Sequence, residues 1–567
     1  MFKRKRYGYG NSREKKFSAR LLVLALILLL AAYLGYRKYI SMNLAVANTA
    51  VQTHDLEKAD TYFSRVAGLP FSSGKGEDGL GVVDLLRNNP EGAKAHFAKV
   101  LAHKPGRMGC DPQIMFQAFF GQGRYADAAT YRDFLSNWKS SDDLKPYALD
   151  FAAIALAGYD LDSARTHLDA APPEQKQESR FSKLNQVVKD YESEGFAPVL
   201  LDRNGSPYLI YDLKNARYEF KSPKLFQGWS NENGPILKGL TETRKMSRIH
   251  SSIDVNLQKA AHQAMSGYNG TMILADPSTG DILAAYGTEG YSPFTVAFEP
   301  GSVMKVLTYG VFLNEEGDTT AYAPKNYPGN MEIGGKIFYD WTTQGQLNSI
   351  NEGMAVSCNL MFAQMGNDLG WSNLNRGIQR LFDGKSLPGY LGDAQYGKLV
   401  KDPENAWELG RASIGLDYWE TTVLGLVQIP LAIANKGKLA PPRLLLQYTD
   451  VEGRVFDDQT SVETRDLFSQ AVSDELLQSM EASVYFEKGT ARRAMTPFVK
   501  TAMKTGTAGD RPFDSVMIGL FPMEAPKVAF AFFLHKGGKC EINGGRVAKG
   551  LQEQIKALAP EYLRGGK

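Results

Sequence analysis

Sixteen consecutive residues without a charge, Leu21 to Tyr36, follow eight cationic side chains (Lys3, Arg4, Lys5, Arg6, Arg13, Lys15, Lys16 and Arg20) set against a single acid, Glu14. In hydrocarbon no water satisfies a peptide N–H or C=O, so one such run can only be a helix. Arg20 and Arg37 at its ends are long enough to reach the headgroups. The pattern predicts a basic cytoplasmic tail over residues 1–20, one transmembrane helix over 21–40, and an exported remainder. A signal peptide cleaved at Ala45-Val46-Ala47 is the competing reading. Arg37, Lys38 and Tyr39 stand between that site and the apolar run, which favours a retained anchor.

At 567 residues the chain exceeds one ordinary core, and two or three domains follow the membrane segment. Net charge is only +3, with much of the basic excess in the first twenty residues, so nothing points to a nucleic-acid partner. The three cysteines, Cys110, Cys358 and Cys540, have no paired spacing, which excludes a disulfide scaffold and a zinc ribbon and leaves only a Cys110–Cys540 bridge open. The seven histidines form no HExxH pair; we expect no metal site and no cofactor.

Residues 45–195 read as successive helices with internal similarity. Leu56-Glu57-Lys58-Ala59-Asp60-Thr61-Tyr62-Phe63 resembles Pro90-Glu91-Gly92-Ala93-Lys94-Ala95-His96-Phe97, and segments at Tyr125 to Tyr131 and Leu161 to Leu168 continue the series. The small residues Ala59, Ala93, Ala128 and Ala164 are spaced by 34, 35 and 36 residues. That spacing resembles tetratricopeptide repeats, where a small residue lets paired helices approach closely. Two roles stay open: a concave partner-binding solenoid, or a spacer holding a catalytic domain off the membrane. Residues 196–245 are extended and turn-rich, with a turn at Asp202-Arg203-Asn204-Gly205, and predict a β-rich connector.

Beyond 245, α and β patterns mix. Thr271–Ala275 and Ile282–Tyr286 flank the turn Pro277-Ser278-Thr279-Gly280, and Ser515–Leu520 and Val528–Leu534 flank another. Three motifs carry chemistry. In Glu299-Pro300-Gly301-Ser302-Val303-Met304-Lys305 a helix beginning near Ser302 sets Ser302 and Lys305 on one face. A lysine held neutral by burial and a second cation can take the hydroxyl proton, and the helix N-terminus favours the developing negative charge. Ser302-x-x-Lys305 spacing alone means little, since Ser12/Lys15, Ser72/Lys75 and Ser136/Lys139 share it. In Ser357-Cys358-Asn359, Ser357 can relay protons and Asn359 can hold a peptide backbone. Ser349-Ile350-Asn351 has the same spacing and reads as an ordinary helix cap. In Lys504-Thr505-Gly506-Thr507-Ala508, Gly506 allows a substrate backbone close to the strand, while Lys504, Thr505 and Thr507 suit a carboxylate.

The three motifs in this order resemble those of penicillin-binding proteins and β-lactamases. Residues 246–558 are similar throughout to a penicillin-binding transpeptidase domain. Ile253-Asp254-Val255-Asn256-Leu257-Gln258, Asp276 to Ala284, Ala434-Asn435-Lys436-Gly437 and Lys488-Gly489-Thr490-Ala491 also match family segments. The resemblance implies an α+β fold, a five-stranded antiparallel sheet flanked by helices, here preceded by an all-α repeat domain and one transmembrane helix. It implies Ser302 as nucleophile, Lys305 as base, Ser357 and Lys504 as proton relay, and Asn359, Thr505, Gly506 and Thr507 as substrate-binding residues. The backbone N–H groups of Ser302 and Thr507 would form the oxyanion hole.

The implied substrates are peptidoglycan stem peptides, with β-lactams as inhibitors, at a bacterial cytoplasmic membrane. A membrane glycosyltransferase and other cell-wall proteins are the implied partners of the repeats. No glycosyltransferase-like segment precedes residue 245, so the chain reads as monofunctional and class B-like. The Arg-Gly pair usual before the Asp-Arg-Asn-Gly turn is absent, however, and Val516 stands where an aromatic is frequent. A D,D-carboxypeptidase, a β-lactam-hydrolysing or β-lactam-sensing enzyme, and a repeat scaffold with a vestigial site are the alternatives.

Overall fold

The computed structural model describes residues 12–87 apart from 54 and 71, scattered positions between 89 and 136, and residues 141–229, 248–382, 394–458 and 460–565. The chain divides into two compact units, residues 1–185 and 186–567.

In the first unit a single helix, Ser12–Gln52, runs for 41 residues. Its stretch Val23–Val51 is long and apolar enough to cross a membrane. Val23, Leu24 and Leu26 to Leu30 are each more than half exposed, whereas Leu44, Ala47, Ala50 and Val51 are buried. The expected boundary between a span ending at 40 and repeats starting at 45 therefore has no break in it. Arg37 and Lys38 are good helix formers, and no glycine or proline interrupts residues 36–52. The first packed helix is the C-terminal half of the apolar one.

Helical pairs follow. Leu56–Ala67 packs against Ser73–Leu86, and Ala148–Ala157 against Leu161–Asp169. Two of the helices begin alike. Asp55 accepts from the amide of Lys58 and Asp160 from that of Ser163, each capping a helix that carries Ala59 or Ala164 on its buried face. Ala59, Ala128 and Ala164 have no exposed surface. Ala93 and Cys110 lie outside the described residues.

The second unit contains two main sheets. One has five antiparallel strands, ordered Ala502–Ala508, Asp514–Phe521, Val528–His535, Asn269–Ala275 and Ile282–Gly287. Its register pairs Gly506 with Val516, Ile518 with Ala531, and Met272 with Tyr286. Nearly every residue of these strands is buried, because helices cover both faces. Val255–Ala264 and Asn543–Leu558 supply Leu257, Ala261, Val547 and Leu551 to the core formed with Met272, Leu274 and Phe530. Val423–Ala434 and Gln470–Tyr485 pack against the strands as well.

The other sheet has six strands, in the order 455–458, 445–449, 248–251, 196–201, 207–212 and 217–220. The strands expected of a separate connector thus share a sheet with one strand that precedes the Ser302 motif and two that lie between the Ser357 and Lys504 motifs. Leu200 and Leu201 pair in parallel with Ile249 and His250. A boundary at residue 245 would leave both edges of that join with unpaired backbone groups.

Close helix contact in the first unit depends on glycine. A Cβ on Gly76 would lie 2.1 Å from the Ala67 amide nitrogen, whereas one on Gly68 would meet nothing nearer than 3.6 Å. Backbone cannot yield as a side-chain tip can. Gly76→Ala should therefore lose about 1–3 kcal/mol of stability, and Gly68→Ala should be close to neutral. Thermal unfolding of the two variants in detergent checks this.

Candidate active site

Ser302 lies in a 3₁₀ turn, Gly301–Val303, that runs directly into the helix Met304–Asn314. Three residues per turn bring positions i and i+3 to the same side. Ser302 is half-buried at the helix start, while Lys305 has no exposed surface. The turn needs glycine. Gly301 has φ +57°, donates to the Gly415 carbonyl at 3.0 Å, and would bring a Cβ within 2.9 Å of the Thr507 carbonyl oxygen.

Ser357 follows the helix Ile350–Ala355 and precedes Asn359–Leu369. Its amide donates to the Met354 carbonyl at 3.1 Å, and the Cys358 amide donates to that of Gly353 at 2.9 Å. These are the two bonds of a Schellman helix end, which calls for a left-handed residue. Ser357 takes that role at φ +56°, where glycine is usual. Leu360, Met361, Phe362 and Met365 of the next helix are fully buried and hold the loop in place. Ser349 instead caps Ile350–Ala355, accepting from the Glu352 amide at 3.1 Å.

Lys504, Thr505, Gly506 and Thr507 lie on the sheet's edge strand, whose outer side faces the Ser302 turn. Gly506 is needed for a reason other than substrate approach. A Cβ there would sit 2.8 Å from the Pro300 carbonyl oxygen and 3.1 Å from Val303 Cγ1. The space beside Gly506 is filled by the turn that carries Ser302.

These elements bring two lysines to one hydroxyl. Lys305 Nζ donates to the Ser357 carbonyl at 2.7 Å, to Ser357 Oγ at 3.2 Å and to Asn359 Oδ1 at 2.7 Å. Lys504 Nζ donates to Ser357 Oγ at 2.9 Å and to the Thr505 carbonyl at 2.8 Å. Burial pushes the Lys305 ammonium down to about 8, with the Asp340 carboxylate opposing. Lys504, equally buried and facing the charge of Lys305, is held well below the usual lysine range. The pair therefore resists carrying two charges near neutrality. The Ser302 hydroxyl has no hydrogen-bond partner among the described residues, which leaves it free for an incoming group.

Thr505 is buried and bonded to Thr490, and Thr507 is exposed, its Oγ1 accepting from the Cys540 amide at 3.5 Å. Cys540 is a free, buried thiol that donates to the Val516 carbonyl at 3.0 Å. Burial raises it to about 12, so it stays protonated at neutral pH. Two contributors escaped the motif reading. Asp340 accepts from the Asn359 amide at 3.0 Å and from the Trp341 amide at 2.8 Å, and thus anchors the Ser357 loop. Thr490 belongs to a segment noted above only for its resemblance. Neither stands at a spacing that marks it in sequence. Among the described residues no cluster of His, Cys, Asp and Glu could hold a metal ion.

A serine at a helix start, beside buried lysines and the edge of an antiparallel five-stranded sheet, defines a serine acyl-enzyme of the α+β kind. Residues 270–556 match the family model described as the penicillin binding protein transpeptidase domain, and the chain belongs to that family. It is 26% identical over 354 residues to the peptidoglycan D,D-transpeptidase PbpA of Mycobacterium tuberculosis, covering 53% of this chain and 70% of that one. It is 22% identical over 360 residues to the peptidoglycan D,D-transpeptidase MrdA of Acinetobacter baumannii, covering 53% of this chain and 52% of the relative. Among solved structures, the D,D-transpeptidase domain of a peptidoglycan glycosyltransferase from Eggerthella lenta shares the fold, with TM-score 0.56, 21% identity, and 64% and 98% coverage. The penicillin G acyl-enzyme of M. tuberculosis penicillin-binding protein A gives TM-score 0.54, 21% identity, and 64% and 99% coverage.

The left-handed conformation of Ser357 has a measurable consequence. Ser357→Ala and Ser357→Gly both lose the hydroxyl shared by the lysines, but only alanine keeps the Cβ penalty, about 1 kcal/mol. Thermal unfolding should rank the glycine variant above the alanine variant by about that amount, with acylation impaired in both.

Proposed function

We propose that the protein is a membrane-anchored peptidoglycan D,D-transpeptidase that works through a Ser302 acyl-enzyme. The observation that carries this is the convergence of Lys305 and Lys504 on Ser357 Oγ next to the nucleophile turn. Proton transfer from a serine hydroxyl needs a neutral amine, and two buried ammonium groups at one oxygen favour losing a proton. In this reading Lys305 takes the Ser302 proton as Oγ attacks the penultimate D-Ala carbonyl of a stem peptide. Ser357 and Lys504 return a proton to the departing D-Ala nitrogen. The oxyanion is met by the backbone N–H groups of Ser302 and Thr507, Thr505 and Thr507 face the terminal carboxylate, and Asn359 steadies the peptide. The amine of a second stem peptide then takes the acyl group, which forms the cross-link and frees Ser302. β-Lactams acylate the same oxygen. The N-terminal helix holds the enzyme in the bacterial cytoplasmic membrane with its tail inside. Tetratricopeptide-like repeats within 45–195 recruit a membrane glycosyltransferase and other wall proteins.

Fluorescent penicillin should label the wild type covalently and leave Ser302→Ala unlabelled; labelling of the variant would sink the assignment. Because acylation requires neutral lysine, its second-order rate should rise with pH through about 8 and level off above. Stopped-flow acylation across pH 6–10, a range centred on roughly that pKa, checks the sign.

The anchoring has its own test. Protease added outside intact spheroplasts should digest everything after residue 50, and protection of that region would refute the exported topology.

A further inference from the structure

We propose that Thr490 is a positioning residue for recognition of the substrate's terminal carboxylate, acting by reversing the direction of its hydrogen bond with Thr505. The inference rests on the reading above, in which Thr505 faces that carboxylate.

Thr505 Oγ1 donates to Thr490 Oγ1 at 2.7 Å, and Thr490 Oγ1 donates to the Ala355 carbonyl at 3.2 Å. A hydroxyl has one proton. With this arrangement Thr505 has already committed its proton inward and offers an incoming anion only lone pairs. To bind a carboxylate, Thr505 must turn its proton outward. Thr505 is only 5% exposed, so little solvent reaches its oxygen to replace the lost partner, and a donor from behind is favoured. Thr490 can be that donor, because the oxygen–oxygen separation suits either direction. It can also leave its present acceptor at little cost. The Ala355 carbonyl still receives the Thr490 amide at 3.0 Å, so no buried group is orphaned when the hydroxyl swings away.

The reversed chain, Thr490 to Thr505 to carboxylate, strengthens the outer bond by polarising it. Thr490 is also well placed to couple the motifs. Ala355 is the last residue of the helix that ends just before Ser357, so one side chain ties the carboxylate site on the 502–508 strand to the loop bearing the shared hydroxyl. Lys504 is fully buried and turned toward Ser357 and the Thr505 carbonyl. The hydroxyl pair supplies the direct donor.

Thr490→Val is nearly the same size and keeps the backbone bond to Ala355. It puts a methyl in place of Thr490 Oγ1, 2.7 Å from Thr505 Oγ1, which displaces that hydroxyl and removes the donor. Thr490→Ser restores the hydroxyl.

The test is Ser302 acylation of the detergent-solubilised full chain, followed by intact-protein mass spectrometry, with benzylpenicillin and with its methyl ester. Thr490→Val should acylate about tenfold more slowly with the free acid and at the wild-type rate with the ester, and Thr490→Ser should recover most of the loss. Equal slowing with both probes would reduce Thr490 to a structural part, and no slowing with the acid would refute the relay; either overturns the proposal. Failure of the underlying reading looks different: wild type unreactive, or Ser302→Ala still modified.

Discussion

Two amines without exposed surface meet at the oxygen of Ser357, and the site is organised around making that tolerable. Burying an isolated ammonium costs several kcal/mol, and a second one beside it costs more. Two remedies are present. Each lysine finds neutral oxygen acceptors, two carbonyls and an amide among them, and each has its proton affinity depressed so that the pair need not carry two charges. The one carboxylate that bears on Lys305, Asp340, is turned toward the Asn359 and Trp341 amides. It steadies the loop more than it neutralises the amine. A direct Lys–carboxylate pair would hold the proton on the lysine and remove its use as a base.

Backbone-to-backbone contact sets the geometry around this pair. Gly301, Gly415 and Gly506 meet where the nucleophile turn, the 415 turn and the edge strand come together, and a Cβ on any of them would strike a carbonyl oxygen within 2.9 Å. Main-chain contacts hold position more rigidly than side-chain contacts do, since no rotamer can absorb a displacement. That rigidity suits a site assembled from backbone groups on separate elements.

What the sequence disclosed divides along physical lines. Lys305, Ser357, Asn359 and Lys504, which the structure brings together, were legible only as motifs taken in order, since the Ser-x-x-Lys spacing by itself recurs elsewhere in the chain. The hairpins at 269–287 and 514–535 were legible from the turn residues between short apolar runs. The six-stranded sheet was not, because 196–201 finds its partner at 248–251 and 445–449 joins from far along the chain. No local pattern encodes such pairings. Gly506 was read as room for a ligand, since a sequence cannot say which backbone fills a gap. Thr490 and Asp340 act through single long-range hydrogen bonds, and a lone threonine or aspartate carries no spacing by which to recognise it. Arg37 and Lys38 suggested an end to the apolar helix. They mark a change of surroundings along a helix that continues.

That continuity makes the anchor a shaft instead of a tether. Tyr36 already donates to the Pro70 carbonyl, and Ala47, Ala50 and Val51 are buried farther along the same rod. With no loop between the lipid-facing and packed halves, the angular position of one half dictates that of the other. Adding or removing a single residue between Arg37 and Asn43 would turn the packed face by about 100° against the apolar one. The length of this segment is thus a phase between the two faces, which an insertion close to two whole turns would nearly restore and a single residue would not.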